Sequence, residues 1–307
     1  MKVLSFFLLL TISANFSLYG QTTASKDSLF AEIKTIEDTL GILAYAIVNE
    51  KQADQRFLAC RVFIPLLTKA LKTNNSFDYD FSRLKTISIL YPPDSSFRIF
   101  TWQLYVDTSE YRYYGAIQMN TKDLKLYPLI DRSFEMEDIE YEVTTNDKWY
   151  GSLYYNIKTF DTKEGKKYLL FGYDGHQFFN KRKVIEVLSF KDGKISFGAP
   201  VFVAQTDPRQ APQRKNRVII EYSAESSVRC NYDEFEKAIV FDHLMAMESS
   251  FPGQKSINMP DGTFEGYRLK DGLWWYVPNM FTTTVNEPPR DFPILDQREK
   301  NIFGKKN

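Results

Sequence analysis

The sequence has few of the residues on which recognisable active sites usually depend. It contains two histidines and two cysteines among 307 residues, without a His-Glu-x-x-His or a Cys-x-x-Cys spacing. A zinc enzyme ordinarily uses three protein ligands, with histidine favoured. Serine-nucleophile elbows of the type Gly-x-Ser-x-Gly and glycine-rich phosphate loops are missing as well. The sequence therefore predicts no metal site and no cofactor.

An excess of either charge is also missing. The chain has 39 basic and 39 acidic residues. Binding to nucleic acid or to an anionic membrane surface depends on a surplus of lysine and arginine. The balance gives no reason to expect nucleic acid as a partner.

One long apolar run is present, at the N-terminus. It extends from Val3 to Ile12 after the basic residue Lys2, and it is shorter than the roughly 20 residues that a transmembrane helix needs. These features are typical of a secretory signal peptide. We predict a signal peptide over 1–20 with cleavage after Gly20, and no transmembrane segment after cleavage. The expected location is the periplasm or the extracellular space.

The segment 21–76 is predicted to be helical. Its first part, 27–49, places six apolar residues at alternating steps of four and three, which is one stripe on a helix: Leu29, Ile33, Ile36, Leu40, Leu43 and Ile47. A second helix is expected from about Gln52 to Lys72, kinked or divided at Pro65. We expect the stripe to pack on the following domain.

The segment 77–285 is predicted to be a β-rich domain. Runs of β-branched and aromatic residues alternate with turn signals such as Asp192-Gly193 and Asp271-Gly272. About fourteen short strands joined by short turns indicate an antiparallel meander. Because 97–106 is apolar on both faces, packed sheets are favoured, with a propeller-like arrangement as the alternative. The proline-rich end, 286–307, is predicted to be an extended tail.

Two cysteines, Cys60 and Cys230, lie among apolar neighbours. Export would expose them to oxidising conditions, which permit a disulfide. Free cysteine also behaves as a small hydrophobic residue. Since two cysteines fix no spacing pattern, a disulfide and two buried thiols both stay open, with the thiols favoured.

Several separated stretches of the β-rich segment resemble a known family. They are YPPDSSFRIFTWQL (91–104), WYGSLYY (149–155), GYDGH (172–176), RVIIEYSAES (217–226), KAIVFDHL (237–244) and PDGTFEGYRLKDGLWWYV (260–277). Together they resemble a family of exported β-rich proteins from Bacteroidetes-type bacteria. The resemblance implies export and one β-rich domain, and it implies no activity and no site residue.

The two histidines are the weak candidates for a catalytic site. His176 follows Asp174-Gly175, and His243 follows Asp242. One hypothesis places both Asp/His pairs in a shared site for metal binding or acid–base chemistry. The other, which we favour, makes His176 an exposed turn residue and His243 a half-buried, hydrogen-bonded strand residue. A glycosidase needs two carboxylates at a suitable separation, and one sequence cannot locate such a pair.

Aromatic residues are the weak candidates for ligand binding. Trp149-Tyr150 and Trp274-Trp275 place large rings on both faces of a strand, so one ring of each set is expected to be exposed. Packing inside the sheets is the alternative, and it is favoured for most of these rings. The acidic stretch Asp131–Glu142 is interpreted as a solvated edge first and as a cation site second.

Two hypotheses on function follow. In the first, the chain is an exported, non-catalytic cell-envelope protein that binds a ligand or partner, such as a carbohydrate or an envelope protein, through its β domain. In the second, it is a secreted, glycosidase-like hydrolase with a carboxylate or His/Asp site. The missing nucleophile, metal and phosphate motifs favour the first hypothesis.

Overall fold

The computed structural model describes residues 17–205, 209–248 and 256–281, with side chains from residue 30 onward. Residues 1–16 of the predicted signal peptide and the whole predicted tail, 286–307, lie outside the described residues. The first helix begins at Ser17, ahead of the predicted helical segment. In the described part, no helix combines the length and the apolarity that a membrane crossing requires.

Two helices precede a succession of strands, which confirms the prediction of a mainly β fold with an N-terminal helical segment. The helices are α1 (Ser17–Asn49) and α2 (Ala53–Leu71). The strands are β1 (Ser88–Leu90), β2 (Phe97–Asp107), β3 (Glu110–Met119), β4 (Leu126–Ile130), β5 (Leu153–Thr162), β6 (Gly165–Asp174), β7 (Asn180–Lys191), β8 (Lys194–Phe197), β9 (Phe202–Ala204), β10 (Gln213–Lys215), β11 (Arg217–Ser223), β12 (Cys230–Asp233), β13 (Ala238–Glu248), β14 (Ser256–Lys270) and β15 (Leu273–Val277).

The strands form three sheets. The first has the order β1-β2-β3-β4, the second β11-β7-β6-β5 with β8 beside β7, and the third β10-β9-β15-β14-β13-β12. Neighbouring strands are antiparallel, apart from the parallel pair β15 and β9. The sheets differ in size and order and do not repeat as blades, so the propeller-like alternative is wrong and packed sheets are confirmed.

The helices cover one face of the first sheet. Ile33, Leu40 and Ile47 are fully buried against a core that includes Phe100 and Trp102 of β2. This confirms the predicted docking of the stripe from Ile33 onward, and the Leu29 side chain lies outside the described residues. Pro65 does not divide α2. Proline has no N–H to donate to the carbonyl group one turn earlier in the helix. Because Pro65 is on the exposed side of α2, water can donate to that carbonyl instead.

The three sheets stack behind the helices. Phe97 and Ile99, on the second face of β2, pack with Tyr154 and Leu170 of the second sheet. The other face of the second sheet packs on the third sheet in a separate core. Burial of β2 on both faces follows from its position between helices and a sheet, as its apolar pattern predicts. The order of layers is therefore helices, first sheet, second sheet, third sheet.

The two cysteines lie in different cores. Cys60 belongs to the core between the helices and the first sheet, and Cys230 to the core between the second and third sheets. Both are buried free thiols. Complete burial raises the pKa of Cys230 to about 12, so it stays a neutral thiol that packs as a small hydrophobic residue. The disulfide left open by the sequence is not formed.

Candidate functional site

One cleft brings together three of the predicted site residues, Tyr150, Asp174 and His176. It has a volume of about 250 Å³. Asp174 is the last residue of β6, His176 lies in the connection to β7, and Tyr150 precedes β5. The residues that line the cleft are Ser109, Glu110, Tyr111, Tyr113, Ser133, Phe134, Ile139, Tyr150, Asp174, His176, Gln177 and Arg182.

Asp174 forms the floor of this cleft and is 7% exposed. Its Oδ1 accepts hydrogen bonds from the Tyr113 hydroxyl at 3.1 Å and from the His176 backbone N–H at 2.8 Å. Its Oδ2 accepts one from the Tyr150 hydroxyl at 2.6 Å. Burial, and then the charge of Asp174, raise the pKa of both tyrosines well above the ordinary value. The tyrosines therefore stay protonated donors.

The glycine between Asp174 and His176 has a specific role. The Gly175 N–H donates to the Tyr113 hydroxyl at 2.6 Å. A Cβ at this position would lie 2.7 Å from the Tyr111 ring. A residue without a side chain thus lets Tyr111 approach the backbone and close one wall of the cleft.

The strand register places alternating charges beside the cleft. Asp174 of β6 pairs with Arg182 of β7, and Arg182 pairs with Glu221 of β11. Arg182 Nε lies 2.8 Å from Glu221 Oε2, and His176 Nε2 lies 3.8 Å from the same oxygen. Burial first, and then the Arg182 cation, lower the pKa of His176. The imidazole is therefore neutral at pH 7, so one ring nitrogen can accept a hydrogen bond and the other can donate one.

Phe134 lines this cleft and also a second depression of about 480 Å³, and the two share Ser109 and Glu110 as well. Its ring is 72% exposed. It lies in the short helical turn Ser133–Glu135, whose start is fixed because Ser133 donates from its backbone N–H (3.1 Å) and its hydroxyl (2.9 Å) to Asp131. We call the cleft and the depression together the Phe134 groove.

The second histidine lies elsewhere. His243 is on β13 at a break in register with β14, and its Nδ1 is 2.9 Å from Asp261 Oδ2. Asp242 accepts a hydrogen bond from the Arg229 N–H at 2.6 Å. Among the described residues, no hydrogen bond or ion pair joins the two histidines, so the structure does not assemble the shared site. His176 is a turn residue, as expected, but its side chain is largely buried rather than exposed.

The predicted aromatic candidates have different environments. Trp149 and Tyr150 precede β5 and are both buried, Trp149 in the core between the first and second sheets and Tyr150 in a small cluster with Met136 and Val184. Trp149 Nε1 donates to the Tyr154 hydroxyl at 2.8 Å inside the core. Trp274 is buried against Phe160. Trp275 alone among the four is partly exposed, at a separate cleft.

The acidic stretch is solvated in part, with Glu135, Glu137 and Asp138 exposed, and its other glutamates are bonded within the protein. Glu140 pairs with Lys215, and Glu142 pairs with Lys148 while accepting two backbone N–H groups. These bonds tie the segment to β10 and to itself. Across the part of the chain with described coordinates, no three histidine, cysteine or acidic side chains converge as metal ligands.

The sequence analysis missed Tyr113, Phe134 and Arg182 of the groove, and Glu221 beside it. Arg182 and Glu221 face each other through strand register, which a single sequence leaves undetermined. Phe134 stands in an acidic, turn-rich segment, where an isolated aromatic ring is the one available signal. Comparisons with protein-family models, with curated proteins and with solved structures find no match to this chain.

Proposed function

We propose that this protein is an exported, non-catalytic protein of the cell envelope that binds a carbohydrate in the Phe134 groove. The observation that carries the proposal is the exposed Phe134, which lines both adjoining depressions. An exposed aromatic ring offers a stacking surface for the apolar face of a sugar, and a few fixed polar groups give orientation. Glu110, His176 and Gln177 supply such groups beside it.

The bonding of Asp174 supports binding over catalysis. A glycosidase directs one carboxyl group at the leaving oxygen and a second at the sugar or a water. Both oxygens of Asp174 are held by tyrosine hydroxyls and a backbone N–H from within the protein. Glu221 is held by Arg182. These carboxylates position the cleft walls, and no contact favours the hydrolase alternative.

The test is a binding screen of the mature chain, residues 21–307, against neutral and acidic oligosaccharides. Phe134→Ala should weaken binding of the selected saccharide about tenfold or more, since tenfold corresponds to roughly 1.4 kcal/mol. The matched control is Phe235→Ala, because Phe235 is 91% exposed on the turn before β13 and lies outside the groove.

Two outcomes would contradict the proposal. Equal affinities for the wild type, Phe134→Ala and Phe235→Ala would place binding elsewhere. Release of new reducing ends from any saccharide, lost in His176→Ala, would establish the hydrolase instead. Export is tested separately by mass spectrometry of the secreted fraction, where an intact Met1 would refute cleavage near Gly20.

A further inference from the structure

A second cleft, which we call the Trp275 cleft, lies between two hairpin turns. One turn joins β5 to β6 at 162–165, and the other joins β14 to β15 at Asp271-Gly272. The cleft has a volume of about 320 Å³, within the range of about 300–1,000 Å³ that is usual for ligand pockets. Ala199, Val201 and Leu273 supply apolar lining.

The backbone conformation of the two hairpin turns determines the shape of this cleft. Asp271 and Gly272 both have positive φ, at +54° and +77°, as a tight hairpin turn requires. A Cβ at Gly272 would lie 3.0 Å from the Thr162 Cα, so the glycine lets the two turns meet at one end of the cleft. The backbone N–H of Trp274 donates to the Val201 carbonyl at 2.7 Å and joins β15 to the floor of the cleft. The walls are therefore formed before any ligand arrives.

Trp275 gives the cleft an available aromatic surface. The other three tryptophans, Trp102, Trp149 and Trp274, are buried. Trp275 is partly exposed, and no aromatic ring of the described residues stacks on it. Its indole is thus both a platform for a ligand ring and the one solvent-accessible tryptophan of the chain.

The charged residues that line the cleft are three cations, Lys163, Lys167 and Arg214, and two carboxylates, Glu164 and Asp271, which leaves one positive charge in excess. Lys167 is largely buried and lies 3.1 Å from Glu164, which compensates it. Lys163 and Arg214 are exposed and line the same cleft. No carboxylate among the described residues forms an ion pair with either cation. Arginine presents paired N–H donors whose geometry matches a carboxylate or another oxyanion.

We propose that the Trp275 cleft binds an acidic sugar, with its ring on Trp275 and its anionic group at Arg214 and Lys163. The cleft is separate from the Phe134 groove, shares no lining residue with it and does not depend on its function. The anionic group is a carboxylate or a sulfate, which present similar oxyanions to a guanidinium.

The test uses the fluorescence of Trp275. Trigalacturonate and a sulfated galactose oligomer are the acidic probes, and fully methyl-esterified trigalacturonate is the neutral match. An acidic probe should protect Trp275 from acrylamide quenching and bind at least about tenfold more tightly than the ester. Added salt should weaken that binding because the ion pairs are near the surface. The acidic probe that binds identifies the anionic group.

Variants separate the cleft from the rest of the surface. Arg214→Gln should weaken binding at least about tenfold, whereas Arg61→Gln, an exposed arginine on α2, should leave it unchanged. Trp275→Leu should abolish binding measured by calorimetry, with its melting temperature recorded to confirm folding. Equal affinity for acid and ester, an unchanged Arg214→Gln, or no protection by either acidic probe would overturn the proposal.

Discussion

The two Asp/His segments of this chain have similar sequences and different surroundings. Asp174 and His176 lie at the end of β6, where two tyrosines from other segments donate to the carboxylate. Asp242 and His243 lie on β13, where Asp242 accepts from one backbone N–H and His243 pairs with Asp261 of the adjacent strand. Asp174 therefore organises a cleft, whereas the second pair supports a hairpin.

The difference shows what gives a carboxylate a role in this fold. Each carboxylate accepts one backbone donor, the His176 N–H at Asp174 and the Arg229 N–H, 13 residues away, at Asp242. Asp174 in addition accepts from two side chains of distant segments, Tyr113 of β3 and Tyr150 of the segment before β5. The convergence of these donors, and not the Asp/His spacing, separates the two regions.

The largest expected effect is that of Asp174→Ala. It leaves two buried tyrosine hydroxyls without an acceptor, and hydrogen bonds to charged groups contribute roughly 1.5–3 kcal/mol each. We expect the free energy of unfolding to fall by about 3 kcal/mol in urea denaturation. Asp174→Asn retains one acceptor oxygen and should lose less. A loss for Asp174→Ala as small as that for Asp174→Asn would remove the argument for an organising carboxylate.

A smaller effect is expected for Asp242→Ala. Asp242 is buried and satisfies one backbone donor, the Arg229 N–H. Losing one such bond should lower the free energy of unfolding by about 1 kcal/mol, less than half the effect at Asp174. The same urea titration measures both variants. Equal losses would break the distinction between the two regions.

Local sequence patterns predicted the helices and the buried strands, whereas the cleft at Asp174 depends on the register between strands. The stripe of α1 and the two apolar faces of β2 each need one segment to be recognised. The cleft needs Tyr113, Tyr150 and Arg182 to meet at Asp174. That meeting depends on which strands pair and in what register, which a single sequence leaves undetermined.

The burial of Trp149 and Tyr150 has the same origin. Alternation across a strand would expose one of the two rings, but both residues precede β5 and are buried, in two separate clusters. Trp275 lies within β15, where alternation applies, and it is more exposed than Trp274. Periodicity was therefore informative where the strand is regular and failed one step outside it.

The titration of His176 predicts how the stability of the first Asp/His region depends on pH. Its pKa in the folded state is lowered by burial and by Arg182, while the unfolded chain has the ordinary value of about 6.5. The unfolded state therefore binds the proton more readily. The free energy of unfolding is highest above about pH 6.5 and decreases as the pH falls from there towards the lower pKa of the folded state. His176→Gln should reduce this loss between about pH 8 and about pH 5.

Nuclear magnetic resonance of the imidazole gives the same test directly. Asp174 and Glu221 raise the pKa of His176 against the larger effects of burial and Arg182. Asp174→Asn should therefore lower that pKa further, and Arg182→Gln should raise it. A His176 pKa at or above about 6.5 in the wild type would show that the side chain is solvated and that the cleft is open to water around it.

The smallest effect is expected for His243→Ala. The His243 side chain is 38% exposed and pairs with Asp261 near the surface, and surface ion pairs contribute little to stability. The pKa of Asp261 is lowered to about 2, first by the Thr263 N–H and hydroxyl and only then by His243. Those two Thr263 bonds remain in the variant. A depressed carboxyl pKa contributes stability that is lost only as pH falls from about 4 towards the folded value. At neutral pH the melting temperature of His243→Ala should thus match the wild type in calorimetry, with Asp261→Asn as the partner control. A decrease as large as that of Asp242→Ala would instead make His243 part of the packed hairpin.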